Sequence, residues 1–229
     1  MVGKITNKDL QPYKTKEWVS VQKGNWSFLV CTDFIKCYTT EIEIDGANPF
    51  NHPMFICTPG KSELWFLKSE LDIFGSRIKN INTDKKIKIL CDNVKETGSE
   101  LLNFIEKNTN TRFDGDLYKE LWGRIRKYYK YHLIAKYLGD FISSNVLLEN
   151  LNELKEARVR YAEPIGKNIY DLLNKIFLEV SVVTGIRSEM ISCMTRDEIE
   201  EYFTSNIIPN ISILEKIREF CYNRVEGWL

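Results

Sequence analysis

The chain has 229 residues, of which 43% are hydrophobic and 12% aromatic, enough for a packed core in one large or two small domains. Its 32 basic and 32 acidic side chains cancel, which argues against nucleic-acid binding. No apolar run approaches the roughly 20 residues of a membrane span, and the N-terminus lacks the apolar stretch of a signal peptide. We therefore expect a globular, cytoplasmic protein.

The first part of the chain is predicted to be extended. Residues 18–44 are rich in β-branched and aromatic side chains, and Lys23-Gly24-Asn25 has the composition of a turn. Such a segment is typical of a short hairpin or of separate extended stretches. We therefore expect residues 1–60 to form an N-terminal unit that contains β-structure.

The stretch "CTPGKSEL" at residues 57–64 contains the Gly-Lys-Ser sequence that closes a phosphate-binding P-loop. A P-loop needs an earlier glycine at the position of Phe55, and Pro59 removes one backbone N–H donor from the loop. We therefore interpret the stretch as a Pro-Gly turn and not as a nucleotide site.

Residues 61–229 are predicted to form a helical domain. The expected fold class is mainly α: a helical bundle with a small β-hairpin or an extended N-terminal segment. Apolar residues recur every three or four positions, which is the period of an amphipathic helix. The first expected helices are one that carries Leu64, Leu67, Leu71 and Phe74, a short one over Ser99–Asn108, and a long one over about Leu117–Ile142.

The long helix carries His132, one of the two histidines of the chain, on its apolar stripe. Such a histidine is a candidate general base or phosphoryl carrier, or a core residue satisfied by a carbonyl or a tyrosine hydroxyl. No carboxylate or glycine-rich segment accompanies it, so we favour the core role. His52, between two prolines, is predicted to lie in a loop. The tyrosines of the long helix suit an apolar pocket or a partner interface, or they pack between helices in the ordinary way, and we favour ordinary packing. These tyrosines are Tyr128, Tyr129, Tyr131 and Tyr137.

The segment from Leu151 to Val183 is predicted to be one helical stripe, and Arg158 lies on its apolar face. A guanidinium is rarely buried without a carboxylate or a phosphate. We therefore expect Arg158 either to pair with an acidic residue of a neighbouring helix, which we favour, or to face a cleft that receives an anion. Pro164 is expected to kink or restart the helix, and Gly185 to end it.

Two more helices are predicted towards the end of the chain. Thr195 precedes Glu198 by three residues, which is a capping-box signature, and residues 212–225 have the pattern of a last helix. Trp228 indicates an apolar surface that meets a partner.

The cysteines are expected to be reduced thiols, because a chain of this length does not need disulfides. Their spacing does not match that of zinc sites, and no clustered histidines complete a set of four ligands. We expect no metal site and no cofactor. The six cysteines stand at positions 31, 37, 57, 91, 193 and 221.

Two stretches carry a resemblance to a known family: "ELKEARVRYAEPIGKNIYDLLNKI" and "TGIRSEMISCMTRDEIEEYF". In this order they resemble the helical region that precedes the swivelling phosphohistidine domain of phosphoenolpyruvate-utilising enzymes, the family of phosphoenolpyruvate synthase and rifampicin phosphotransferase. In that family a long helix with an arginine-rich start leads into a Thr-x-x-Glu-Ile step, which Thr195, Glu198 and Ile199 match. A tryptophan near the start and the stretches "MFICTPGKSELWFL" and "YYKYHLIAKYLGDF" are also similar, so the resemblance extends over most of residues 18–225.

The resemblance implies a binding function. The sequence contains no match to the family's Thr-x-x-His motif, its ATP-grasp segment or its phosphoenolpyruvate-binding barrel. We therefore expect a helical substrate-binding or docking subunit, or a truncated remnant, of a phosphoenolpyruvate synthase-like phosphotransfer system, and not a complete enzyme. Its expected partner is a separate chain with a phosphohistidine domain or a small-molecule acceptor, and neither nucleic acid nor a membrane. Arg158, Arg160 and His132 are the residues expected to bind the substrate.

Two alternatives remain open. A freestanding enzyme would use His132, Glu163 or a cysteine as its catalyst, within hydrogen-bond reach of an orienting partner in a cleft. A structural adaptor would instead present an apolar surface patch without a pocket.

Overall fold

The computed structural model describes residues 16–24, 26–44, 46–58, 61–81, 83–141 and 148–215. Within these residues the fold is mainly α-helical with one small three-stranded antiparallel sheet, as the sequence predicts. Trp228 and most of the predicted last helix lie outside the described residues.

The sheet consists of β1 (Trp18–Gly24), β2 (Met54–Thr58) and β3 (Lys61–Leu67), in the order β1-β3-β2. The central strand β3 pairs antiparallel with both neighbours, on one side with Trp18 opposite Leu67. Since β3 lies beyond residue 60, the sheet combines residues of both units that the sequence predicts. Alternate side chains of β3 are buried against the core, namely Ser62, Leu64 and Phe66.

The Gly-Lys-Ser sequence does not form a P-loop. Lys61 and Ser62 belong to β3, whereas a P-loop places them at the start of a helix. The Ser62 hydroxyl donates to the carbonyl of Trp26 at 3.0 Å, and the Lys61 ammonium lies 2.6 Å from the Glu63 carboxylate. The turn itself, at residues 59–60, lies outside the described residues.

The prediction of extended structure up to residue 44 is wrong beyond β1. Helix α1 (Phe28–Lys36) begins after its N-cap Ser27 and continues into a π-helical turn (Cys37–Glu41). β1 therefore pairs with β3 and not with the segment that follows it. The reason is tertiary: apolar side chains on one face of this helix pack into the core, which outweighs the strand propensity of single residues. These side chains are Leu29, Val30, Cys31, Phe34, Cys37 and Tyr38.

Six more helices follow within the described residues, together with a last helical stretch at residues 211–215. They are α2 (Lys68–Ile81), α3 (Asp84–Asn108), α4 (Gly115–Phe141), α5 (Leu148–Thr184), α6 (Ser188–Ile191) and α7 (Arg196–Ser205).

Two of these helices begin elsewhere than predicted, whereas α4 lies close to its predicted range. Leu64 and Leu67 lie in β3, so α2 begins only at Lys68. The short helix predicted from Ser99 is the second half of the 25-residue α3, whose N-cap is Thr83.

The helices pack as a bundle in which α3 lies against both α4 and α5. A side chain at Gly98 of α3 would place its Cβ 2.7 Å from the ring of Tyr161 in α5, so this approach requires glycine. The sheet packs on α2 and α4 through contacts between aromatic rings, which belong to Tyr38, Phe50, Phe66, Phe74 and Tyr137.

Helix α5 follows the predicted pattern over most of its length. Pro164 lies inside one continuous helix, and Gly185, with a φ of 72°, follows its last residue as predicted. The capping box of Thr195 and Glu198 is confirmed at the start of α7. Val183 is exposed, contrary to the prediction, but the rest of the predicted stripe beyond Pro164 is buried, namely Ile165, Ile169, Leu172, Leu173, Ile176 and Val180.

Candidate functional site

Arg158 lies in α5, with its guanidinium partly buried against the second half of α4. Its Nη1 donates to the backbone carbonyl of Lys136 at 3.3 Å. No acidic side chain of the described residues forms an ion pair with it, so the predicted carboxylate partner is not found there. A backbone carbonyl takes its place.

His132 lies near Arg158, is partly buried, and packs against the rings of Tyr128 and Tyr129. Its Nδ1 lies 3.0 Å from the hydroxyl of Tyr128, and its ring stacks on that of Tyr128 with 5.1 Å between centroids. Burial lowers the pKa of His132 to about 3, and the positive charges of Lys136 and Arg158 act in the same direction. Burial also raises the pKa of Tyr128, so its hydroxyl keeps its proton and can donate to Nδ1.

These contacts agree with the predicted core role of His132. An imidazole with a pKa of about 3 is uncharged at neutral pH and is a weak base. Among the described residues no carboxylate orients the ring, and its hydrogen-bond partner there is the hydroxyl of Tyr128. The arrangement therefore suits a neutral hydrogen-bonding group, not a general base.

Arg160 lies apart from this pair. It follows Arg158 by two residues on α5, and side chains at that spacing do not face each other. Its exposed guanidinium lies 5.8 Å from the centroid of the Tyr161 ring. The structure thus brings Arg158 and His132 together and places Arg160 at an open surface depression, which is also lined by Asn152, Lys155, Glu156 and Val159.

The other proposed catalysts are not arranged for catalysis in the described residues. Burial raises the pKa of the Cys37 thiol well above its usual value, and the Asp33 carboxyl adds to this shift. Since the thiolate is the nucleophile, these shifts make the thiol unreactive. The side chain of Glu163 lies outside the described residues. The described cysteine side chains are all buried thiols: Cys31, Cys37, Cys91 and Cys193.

A second arginine site, which we call the Asp33 cluster, was missed by the sequence analysis. It consists of Asp33 and Glu41 near α1, Arg126 of α4, and Arg196 and Asp197 of α7. Oδ1 of Asp33 lies 3.4 Å from Nη2 of Arg126 and 3.6 Å from Nη1 of Arg196. Only 2% of the Asp33 side chain is exposed.

The outer carboxylates complete the Asp33 cluster. Arg126 lies 3.7 Å from Glu41, and Arg196 lies 2.5 Å from Asp197. Burial raises the pKa of Asp33, whereas the two arginines and the Cys37 thiol oppose this shift. Each arginine thus has two acidic neighbours, so we interpret the cluster as a structural link between helices. An acidic residue inside the apolar stretch "LVCTDFIKC" was the one signal of it in the sequence.

In the part of the chain that the structure describes, no three His, Cys, Asp or Glu side chains are grouped so that they could hold a metal ion. None of the described helices combines the length and the apolar composition needed to cross a membrane. No protein-family model, no curated protein and no solved structure matches the chain.

Proposed function

We propose that the protein is a helical binding or docking subunit of a phosphoenolpyruvate synthase-like phosphotransfer system and that Arg158 contacts the anionic group of its ligand. One observation carries the proposal. Arg158 is partly buried, bonds to a backbone carbonyl, and has no carboxylate partner among the described residues.

The chemistry of arginine supports this assignment. A guanidinium has five N–H donors in a planar fork that matches the oxygens of a carboxylate or phosphate. The hydrogen bond to the Lys136 carbonyl uses one of these donors and leaves the others for such a ligand. The neutral His132 beside it adds a hydrogen-bonding group without a charge. Phosphoenolpyruvate and a phosphorylated group on a partner chain both carry the oxygens that this arrangement would bind.

The test is an NMR titration of the isotope-labelled chain with phosphoenolpyruvate and, separately, with inorganic phosphate. The Nε–H signal of Arg158 is expected to shift as the anion binds. Loss of a charged hydrogen bond weakens binding by about tenfold or more, so Arg158→Ala should raise the Kd by that factor.

Arg160→Ala is the matched control, because it removes the same charge from the same helix on a different face. Its Kd should stay within about twofold of that of the wild type. Equal affinity of wild type and Arg158→Ala would contradict the assignment, as would the absence of any shift at Arg158.

A structural adaptor is the second candidate. It is favoured by three apolar side chains near the end of α5 that are largely exposed: Leu178 (58%), Val182 (85%) and Val183 (59%). Native mass spectrometry of the chain purified from its source cell separates the two functions. If a partner still binds Arg158→Ala but no longer binds Val182→Asp, the adaptor is favoured. If it still binds Val182→Asp but no longer binds Arg158→Ala, the anion-binding subunit is favoured.

A further inference from the structure

The carboxylate at the centre of the Asp33 cluster is almost fully buried, yet its contacts are long. Its Oδ1 lies 3.4 Å from Nη2 of Arg126 and 3.6 Å from Nη1 of Arg196, and its Oδ2 accepts from the Cys37 thiol at 3.6 Å. Hydrogen bonds between a guanidinium and a carboxylate are usually about 2.7–2.9 Å long, and a thiol is a weak donor. The described residues thus leave acceptor capacity on a carboxylate that is only 2% exposed.

Helix α4 presents three buried donors on the side that faces this carboxylate. Tyr118, Trp122 and Arg126 are spaced four residues apart, so they lie on one face of the helix. The Tyr118 hydroxyl, the indole Nε1–H of Trp122 and the Nε–H of Arg126 are buried and have no hydrogen-bond partner in the described ranges. Buried polar groups are normally paired with protein or with ordered water, because an unpaired donor destabilises the fold.

The Tyr118 hydroxyl lies within reach of the charges of the Asp33 cluster. Burial raises the pKa of Tyr118, so its hydroxyl keeps its proton and can donate. The charge of Asp33 raises this pKa further and that of Arg196 lowers it, which places the hydroxyl near both residues. The neighbouring Trp122 N–H also lowers the Tyr118 pKa, but the two groups are not in hydrogen-bond geometry.

We propose that the Asp33 cluster binds internal water, which bridges the Asp33 carboxylate to the buried donors of α4. A buried water molecule typically makes about three hydrogen bonds to polar groups that otherwise lack partners. It accepts from N–H and O–H groups, which α4 supplies, and it donates to an acceptor, which Asp33 supplies. One kind of guest thus satisfies both the donors without acceptors and the carboxylate with long contacts.

Two other kinds of guest fit this site less well. An anion would lie beside three acidic side chains, those of Asp33, Glu41 and Asp197, which already balance the two arginines. A metal cation would face N–H and O–H donors and two guanidinium groups, whereas cations such as Mg²⁺ and Ca²⁺ require oxygen ligands that accept. Water is uncharged and both donates and accepts.

The bound water would add a link between three helices. Asp33 belongs to α1, the three donors belong to α4, and Arg196 begins α7. The inference does not depend on the proposed function, because Arg158 and His132 have no part in it.

A crystal structure of the full chain at about 2 Å resolution or better tests the proposal directly. We expect an ordered water within about 3.2 Å of both Nε1 of Trp122 and an oxygen of Asp33, or two touching waters that make the same bridge. An ion at this position would overturn the proposal, and bromide in place of chloride would reveal a halide by its anomalous scattering. A direct protein acceptor for the Trp122 and Tyr118 donors, or donors without any partner, would also overturn it.

The variant Tyr118→Phe tests the bridge in solution, because it removes one donor and keeps the ring. If the hydroxyl binds bridging water, the midpoint of urea denaturation should fall by roughly 0.3 M or more. An unchanged or higher midpoint would mean that the hydroxyl has no partner, which contradicts the proposal.

A second pair of variants shows whether this loss depends on Asp33. A bridge that ends on the carboxylate is weakened by Asp33→Asn, so Tyr118→Phe should lower the midpoint less in that background than in the wild type. Tyr128→Phe is the matched control, since its hydroxyl lies 3.0 Å from Nδ1 of His132 and its effect should be the same in both backgrounds. Additive losses for Tyr118→Phe and Asp33→Asn would contradict the bridge. If Asp33→Asn does not fold, the crystal structure of the wild type decides.

Discussion

The two arginine sites of the bundle differ in what the guanidinium groups meet. In the Asp33 cluster, Arg126 and Arg196 share one buried carboxylate and each has a second acidic neighbour. Between α4 and α5, Arg158 meets a backbone carbonyl and lies beside an uncharged histidine. The same side chain is thus used in an ion-pair network at one site and, as far as the described residues reach, without a carboxylate at the other.

Under the proposed function, one arginine site contributes mainly to the stability of the fold and the other mainly to the binding of a ligand. The arginines of the Asp33 cluster already have acidic neighbours, and removal of their shared carboxylate leaves two partly buried charges with less compensation. Under the proposed function, the remaining donors of Arg158 bind an anion, for which charge-assisted hydrogen bonds are strong. We therefore expect substitutions in the Asp33 cluster to act on the free energy of unfolding, and substitution of Arg158 to act mainly on ligand affinity.

The largest effect is expected for Asp33→Ala. The change leaves Arg126 and Arg196 partly buried without their shared carboxylate, which should lower the free energy of unfolding by about 3 to 5 kcal/mol. Urea denaturation followed by circular dichroism measures this loss.

Asp197→Ala is the control for Asp33→Ala. Its side chain is 65% exposed, and exposed ion pairs contribute about 1 kcal/mol or less. Equal losses for the two variants would show that burial of the carboxylate does not set its contribution, and the contrast between the two arginine sites would lose its basis.

The next effect is the pH dependence that His132 causes. The pKa of His132 is about 3 in the fold and near 6.5 in the unfolded chain, so the unfolded chain binds more protons between these values. The contribution of the uncharged His132 to the free energy of unfolding is therefore fully present well above pH 6.5. It is lost as the pH decreases from 6.5 towards 3. From pH 6.5 to 4.5 the free energy of unfolding should fall by about 2 to 3 kcal/mol.

Chemical denaturation at several pH values measures this slope, and His132→Phe is its matched control because phenylalanine keeps an aromatic ring but does not titrate. The wild type and His132→Phe share all carboxylates and His52. The difference between their two slopes is therefore the contribution of His132. Identical slopes would mean that His132 is not the titrating group.

Patterns within one element were predictable from the sequence. The apolar stripe of α5, its glycine stop at Gly185 and the capping box of Thr195 and Glu198 each depend on residues a few positions apart. The strand-rich composition before residue 44 was misleading because the core that selects a helix there is formed by distant segments.

Sites assembled from several elements were predictable only in part. The position of Arg158 on a packed helix face follows from periodicity, but its partner is a backbone carbonyl of another helix, which no residue pattern indicates. The Asp33 cluster joins residues near positions 33, 126 and 196, and Glu70 reaches His52 across the hairpin. Such contacts depend on how the elements pack and not on the local sequence.

The smallest expected change in stability is that of Arg158→Ala. The substitution removes one hydrogen bond to a carbonyl and no ion pair with a described residue, so the free energy of unfolding at pH 7 should fall by about 1 kcal/mol. Urea denaturation under the conditions used for Asp33→Ala measures it. A loss as large as that of Asp33→Ala would make Arg158 a structural residue.

The same variant also tests whether Arg158 and His132 act on each other. The charge of Arg158 is one of the causes that lower the pKa of His132, so its removal should raise that pKa towards 6.5. The stability of Arg158→Ala should then depend less on pH below 6.5 than that of the wild type. Arg160→Ala should keep the wild-type slope, because its charge is on another face of α5. A shallower slope in Arg158→Ala alone would place its positive charge at His132, where the proposed anion would bind.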